Sequence, residues 1–346
     1  MKSKRIIIAL VLAANILLVT CVTDPEAKVI PTTPTSVGIP TPTIVSVPMN
    51  IPGSTALTIA SPDSIDSLDV HQSYSGILAA SGPGISYSRL LRFQSGPGIT
   101  TPSSWIECDL CESWEQVGSK QFIFKLRDGV VWHDIPPLNG RQLVSEDIAY
   151  SLRRQSNPIY PSSYLMSSIE SVEAKGKLTL RIDSRVTDSD LLMNLANGMT
   201  KIIPPEIEST YGDLSKGPVI GSGPWIFRGD MDGDGYMFEA NPNYYEESMP
   251  RLDRLNILVI PDEITRVAAF RVGKLDILET PPSQMASIMK HHPETDHVVS
   301  RQSGTGIELA LNLASSPLDQ LNIRKAVFAA INPWEAIDSV WHSTGY

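Results

Sequence analysis

Four groups of residues carry side chains able to do chemistry. Asp230, Asp232 and Asp234 alternate through Asp230-Met231-Asp232-Gly233-Asp234-Gly235, the D-x-D-x-D-G opening of a calcium loop, in which oxygens at every second position surround a hard cation. The place of the closing bidentate Glu is taken by Asn241, and the flanks read as strands, so a solvated hairpin tip is the leading reading and a cation site the second. Cys108 and Cys111 form a lone C-x-x-C. One pair cannot complete a four-ligand zinc site. No thioredoxin-like pattern surrounds it. In an exported chain the pair could close a small disulfide, and two free or buried thiols stay open as the alternative. His291, His292 and His297 gather near Asp296 in what reads as a polar loop, an ordinary place for exposed histidines. Gly221-Ser222-Gly223 lacks the G-x-S-x-G spacing of a nucleophile elbow, and no Ser, His and acid share a recognisable frame, so neither a catalytic set nor a cofactor is expected.

The elements that must position these groups begin beyond a leader. Lys2, Lys4 and Arg5 precede an apolar run from Ile6 to Val19 that only Asn15 interrupts. At roughly 14 residues the run is short for a permanent span, and charge followed by a short apolar segment reads as a secretory signal. It ends in Leu18-Val19-Thr20-Cys21, which resembles a bacterial lipobox and would make Cys21 a lipidated first residue; Thr20 departs from the usual small residue. Residues 22 to 53 hold seven Pro and six Thr, a composition that makes an extended tether of residues 21–53 rather than sheet or helix. The net charge of −10 falls to −13 without the three leader cations, which argues against nucleic acid as a partner. Apolar residues make up 42%, enough for a sizeable core.

Strand periodicity predicts β-structure over Ala56–Ala60, Lys120–Leu126, Lys177–Ile182, Leu255–Ile260 and Ile307–Leu313. Arg127-Asp128-Gly129 reads as a turn leading to a second strand at Val130–Trp132, and residues 225–227 and 236–238 read as a hairpin around the Asp/Gly loop. Helices are expected within 64–80, over Ser86–Phe93, from a Ser145 cap to Arg154, over Asp190–Ala196, from Glu263 to a Gly273 cap, and over Asn322–Ile331. The mixture implies an α/β or α+β fold.

Three blocks in this order resemble the family 5 extracellular solute-binding proteins. The first is Glu112-Ser113-Trp114-Glu115, then Phe122 to Val130, Trp132-His133-Asp134 and Leu143 to Leu152. The second is Gly221-Ser222-Gly223-Pro224-Trp225 with Asn241-Pro242-Asn243-Tyr244-Tyr245 and Leu252-Asp253-Arg254-Leu255. The third is Arg271 to Ile277, followed by Leu311-Asn312-Leu313 and Leu318 to Ala326. The resemblance covers about residues 56 to 346. It implies a periplasmic-binding-protein-like α/β fold (type II, cluster C) of two lobes with an extra domain. On that pattern residues 54–90 and 195–304 make the first lobe, 91–194 the extra domain, and 305–346 the start of a second lobe that is incomplete here.

The family implies capture of a peptide-like or other small solute for an ABC permease, outside the cytoplasm, by a membrane-anchored monomer that does no chemistry. Many of its ligand contacts belong to the second lobe and cannot be carried over. Among the tryptophans 105, 114, 132 and 225, core packing is the default. Trp225 and Ser222 stand at the glycine turn that by resemblance approaches the cleft, and Glu308 lies on a strand entering the second lobe, where an acid could meet a cationic ligand end. A truncated chain or a membrane-tethered sensor on the same fold, without transport activity, is the alternative.

Overall fold

A computed structural model describes residues 55–73, 75–80, 82–96, 99, 103–280, 282–297 and 309–340; Cys21 and Glu308 lie outside them. Ten strands are described: β1 (Ala56–Ser61), β2 (Leu91–Phe93), β3 (Ile106–Cys108), β4 (Cys111–Val117), β5 (Gln121–Leu126), β6 (Ile169–Gly176), β7 (Thr179–Ser184), β8 (Trp225–Asp230), β9 (Gly235–Ala240) and β10 (Arg254–Val259). The helices are α1 (Gly76–Ala80), α2 (Ser145–Gln155), α3 (Leu191–Ala196), α4 (Pro205–Tyr211), α5 (Glu263–Arg271), α6 (Pro282–His291), α7 (Leu321–Ala330) and α8 (Pro333–Val340).

One four-stranded sheet runs β1-β10-β9-β8, with β1 parallel to β10 in register from Ala56↔Arg254 to Ser61↔Val259 and the other pairs antiparallel. A second, antiparallel sheet runs β4-β5-β7-β6, and β2 pairs with β3. In β5 the period of two places Phe122, Phe124 and Leu126 on the buried face, where Leu180 and Ile182 of β7 and Ile148 and Leu152 of α2 join them. Tyr236, Phe238, Leu255 and Ile257 make a smaller core for the first sheet, with the rings of Phe227 and Phe238 5.3 Å apart.

Buried polar bonds tie these parts together. Arg154 of α2, itself buried, meets Asp69 at 2.7 Å and Glu208 of α4 at 3.3 Å, and lies 4.3 Å over the ring of Tyr160. The first turn of α2 carries Glu146 and Asp147, as the helix dipole favours.

The structure corrects several expectations. Ser145 is the first helical residue and does not cap α2. Asp147 instead accepts the Val144 N–H at 2.9 Å, and the Ser145 hydroxyl donates to the Gly176 carbonyl at the end of β6. Residues 86–93 are not a helix. A 3₁₀ turn covers Pro83–Ser86 and β2 follows, because adjacent Leu90 and Leu91 are both fully buried, which two-sided packing of an extended chain permits. The segment after the Asp128 turn is not a second hairpin strand: Val131 makes one isolated bridge to Gln142, while β5 takes β4 and β7 as partners. Residues 309–313 form no strand, and Leu309 and Leu313 are exposed. β6, α4, α6 and α8 had no clear signal.

Candidate ligand-binding site

The glycine turn before β8 is a packing device. A Cβ on Gly221 would stand 1.8 Å from the Ser86 carbonyl oxygen, and one on Gly223 would stand 2.8 Å from it. The Gly223 N–H donates to that same oxygen at 2.9 Å. His133 locks the turn from the other side. Its N–H donates to the Gly221 carbonyl, its Nδ1 accepts the Gly221 N–H at 3.3 Å, and its Nε2 lies 3.1 Å from the Gly223 carbonyl. Those roles require the neutral Nε2–H form. Burial pushes the imidazole down to about 4, against the Gly223 bond that raises it. Asn241 completes the turn by donating to the Gly223 carbonyl at 2.9 Å.

Ser222 is buried within this turn with its hydroxyl unpartnered among the described residues, so it faces no open cleft. Trp225, half-buried, opens β8 and packs against the Tyr236–Phe238 core. Trp132 is fully buried, its ring N–H 3.3 Å from Asp147; Trp114 is half-buried on β4, and Trp105 is exposed.

The Asp/Gly loop joins β8 to β9. Asp230 accepts the Gly233 N–H, and Asp232 and Gly233 take positive φ, so the loop's first carboxylate is used to close a turn. Among the described residues no three His, Cys, Asp or Glu side chains converge as a metal set. Asp230 lies at the far end of β8 from Trp225, about 17 Å along the strand, so the structure does not bring these candidates together. Cys108 ends β3 and Cys111 begins β4; a disulfide joins them. His291 closes α6 rather than lying in a loop, its Nδ1 at 2.8 Å from the Ser287 carbonyl, and His292 pairs with Glu294.

An open cavity lies elsewhere, past the carboxyl ends of the parallel strands β1 and β10, the side of an α/β sheet where ligands are ordinarily received. It measures about 310 Å³ and is lined by Ala60, Pro62, Glu263, Arg266, Ile277 and Glu279 among others. The sequence builds it in steps. Asp262 caps α5 by accepting from the Thr265 N–H at 2.7 Å, which sets Glu263 at the rim. Arg266 reaches back to the carbonyls of Ile260 and Pro261, at 2.8 Å each, and fixes the strand-to-helix bend. Asp276 accepts the Thr58 N–H at 2.6 Å while its own N–H donates to the Thr58 carbonyl at 2.8 Å, which binds the 277–280 wall to the edge of β1. Glu263 and Glu279 form no ion pair among the described residues, and the Arg266 guanidinium shares the cavity lining with them. Sequence reasoning missed both; the signal was a capped helix directly after a buried parallel strand.

The fold is that of the periplasmic binding proteins. The solved structure of MoaA from A. tumefaciens R10, in complex with mannopinic acid, superposes with a TM-score of 0.69 at 26% identity, over 83% of this chain and 57% of that one. DppA from Helicobacter pylori, in complex with the peptide STSA, has the same fold at a TM-score of 0.69 and 20% identity, over 84% of this chain and 59% of that one. Residues 106–346 match the profile of the bacterial extracellular solute-binding proteins, family 5 (Middle), and the chain belongs to that family. It is 27% identical over 280 residues to heme-binding protein A of Haemophilus influenzae and 28% identical over 266 residues to the nickel-binding periplasmic protein of Escherichia coli. Each alignment covers 75% of this chain; the relatives are covered to 50% and 48%, so the chain spans about half the length of the curated relatives it matches. Among the described residues no helix is long and apolar enough to cross a membrane.

Proposed function

We propose that this chain is the substrate-binding component of an ABC importer and captures an oligopeptide-like solute outside the cytoplasm, without altering it. The observation that carries the reading is the cavity past β1 and β10, where two carboxylates outside any described ion pair would receive the cationic end of a ligand. Dipeptide- and di/tripeptide-binding proteins stand among the relatives. The partner is an ABC permease, which recognises the ligand-bound state. Cys21 carries the lipid anchor, residues 21–53 are the tether, and the chain works as a monomer. Residues 54–90 with 195–304 act as one lobe, 91–194 as its extra domain, and 305–346 open the second.

Calorimetry with pooled tripeptides tests this. Lys- or Arg-bearing peptides are expected to bind and acidic ones not, and Glu263→Gln or Glu279→Gln to weaken binding by about tenfold or more, as loss of one charged hydrogen bond does. Absence of heat and of any thermal shift with every pool would count against the reading. That outcome would favour the alternative, a tethered chain without transport activity. Incorporation of labelled palmitate into the wild type and not into Cys21→Ala tests the anchor.

A further inference from the structure

Lys201 is a largely buried residue whose ammonium has no described partner. The residue is 5% exposed, and no described carboxylate, carbonyl or hydroxyl accepts from its ammonium. Its backbone fixes its position: its carbonyl meets His71 Nε2 at 3.0 Å, and the next N–H, from Ile202, donates to the Ser88 carbonyl at 3.0 Å. That bond places Lys201 beside Arg89. The Arg89 guanidinium is loosely held, with Nε 3.8 Å from Asp109 Oδ2 and Nη1 3.4 Å from the Ala196 carbonyl.

Asp109, 3.8 Å from Arg89 Nε, is the carboxylate whose charge favours the Lys201 ammonium, and it is already engaged. Its Oδ1 accepts the Tyr245 hydroxyl and its Oδ2 the Arg89 backbone N–H at 2.8 Å. Arg92 takes up Glu107 and Glu246, at 2.6 Å each. Arg127 donates to the Asp109 carbonyl at 2.7 Å and lies over the Tyr245 ring, without a carboxylate of its own. Around Asp109, then, Arg89, Arg92, Arg127 and Lys201 outnumber the carboxylates Glu107, Asp109 and Glu246, in a chain whose net charge is −10. Burial and then the Arg89 charge bring the Lys201 amine down to about 7, against the pull of Asp109. A buried cation whose neighbouring carboxylate is held by other donors is costly, and a bound anion offsets that cost.

We propose that Lys201 and Arg89 form a site for a small oxyanion, the carboxylate or phosphate group of a ligand, which shares no lining residue with the cavity past β1. Nothing in this site depends on the peptide reading above.

Acetic anhydride labelling of the full chain, read per lysine by peptide mass spectrometry, tests it. Sodium phosphate, or sodium acetate in a separate arm, is added at ionic strength held constant with chloride. Either anion at about ten times its Kd is expected to slow acetylation of Lys201 about tenfold and to leave exposed Lys125 and Lys175 unchanged. Protection by phosphate alone assigns a phosphate-type group, and protection by acetate a carboxylate. The same anion is expected to raise the Tm of the wild type and of Lys201→Arg, which keeps the charge, and not that of Lys201→Met. If Lys201→Met does not fold, Arg89→Gln replaces it in the Tm series. Protection by neither anion beyond the chloride reference, or an undiminished Tm rise in Lys201→Met, would overturn the site.

Discussion

Burial of two imidazoles sets how this protein meets acid. His71 and His133 are both held near 4: burial acts first in each, joined in His71 by the charge of Arg154 and in His133 by that of Arg228. The unfolded chain takes up a proton at each ring near 6.5, while the folded one does not until about 4. In that window the unfolded state binds more protons, so stability is full above 6.5 and is lost as pH falls toward 4. The slope is about 1.4 kcal/mol per pH unit for each ring. Urea midpoints between pH 7 and 4.5 measure it, and His133→Asn is expected to remove about half of these two rings' contribution. A flat profile over that range would contradict the assignment. Neither ring could have been picked from sequence. His133 lies inside the Trp132-His133-Asp134 motif, but what fixes its role is a turn some ninety residues away. Glu263 and Glu279 were hidden for the same reason, since they belong to one cavity only because Asp276 binds its segment to β1.

Elements with a clean period were legible and elements decided by tertiary packing were not. β5, β7, α2 and α5 fall where alternation or helical spacing puts them, because each buries one face; β10 and α7 also fall where expected, though β10 is buried on both sides and α7 buries no side chain. Residues 86–93 failed because their helix-like apolar spacing was overridden by packing that buries adjacent Leu90 and Leu91, and 130–132 because Val130 and Trp132 are buried without a strand partner beyond one bridge at Val131. Substitutions at two junctions probe how elements are joined. Gly221→Ala drives a methyl into the Ser86 backbone and is expected to cost about 3 kcal/mol or more, whereas Gly233→Ala, with open space at φ +90, should cost only about 1. Equal costs in thermal melts would show that the close approach at Ser86 does not matter. Arg154→Met leaves Asp69 buried without its cation and is expected to cost about 3–5 kcal/mol. Adding Asp69→Asn to it should restore part of that loss, and a double-mutant cycle with no coupling would refute the link between α2 and the segment after β1.

For the molecule as a whole, family membership was legible early, because three blocks in register specify more than any single motif. The described surface also carries large exposed apolar side chains on α7 and α8 that composition alone could not locate. α7 buries no side chain, and Phe328 and Trp334 are 84% and 67% exposed. Exposed apolar groups of that kind are expected to bind anilinonaphthalene sulfonate, and Phe328→Ser with Trp334→Ser to lower the fluorescence. An unchanged signal would place the dye elsewhere.

The pairing of β1 has a temporal meaning. Thr55 bonds Asp253, 198 residues on, and Thr58 bonds Asp276, 218 residues on, while β10 supplies the strand's parallel neighbour. A polypeptide delivered from its amino end must therefore carry its first strand unzipped until some two hundred further residues have emerged. Closure of the sheet is then the late and slow event of its assembly.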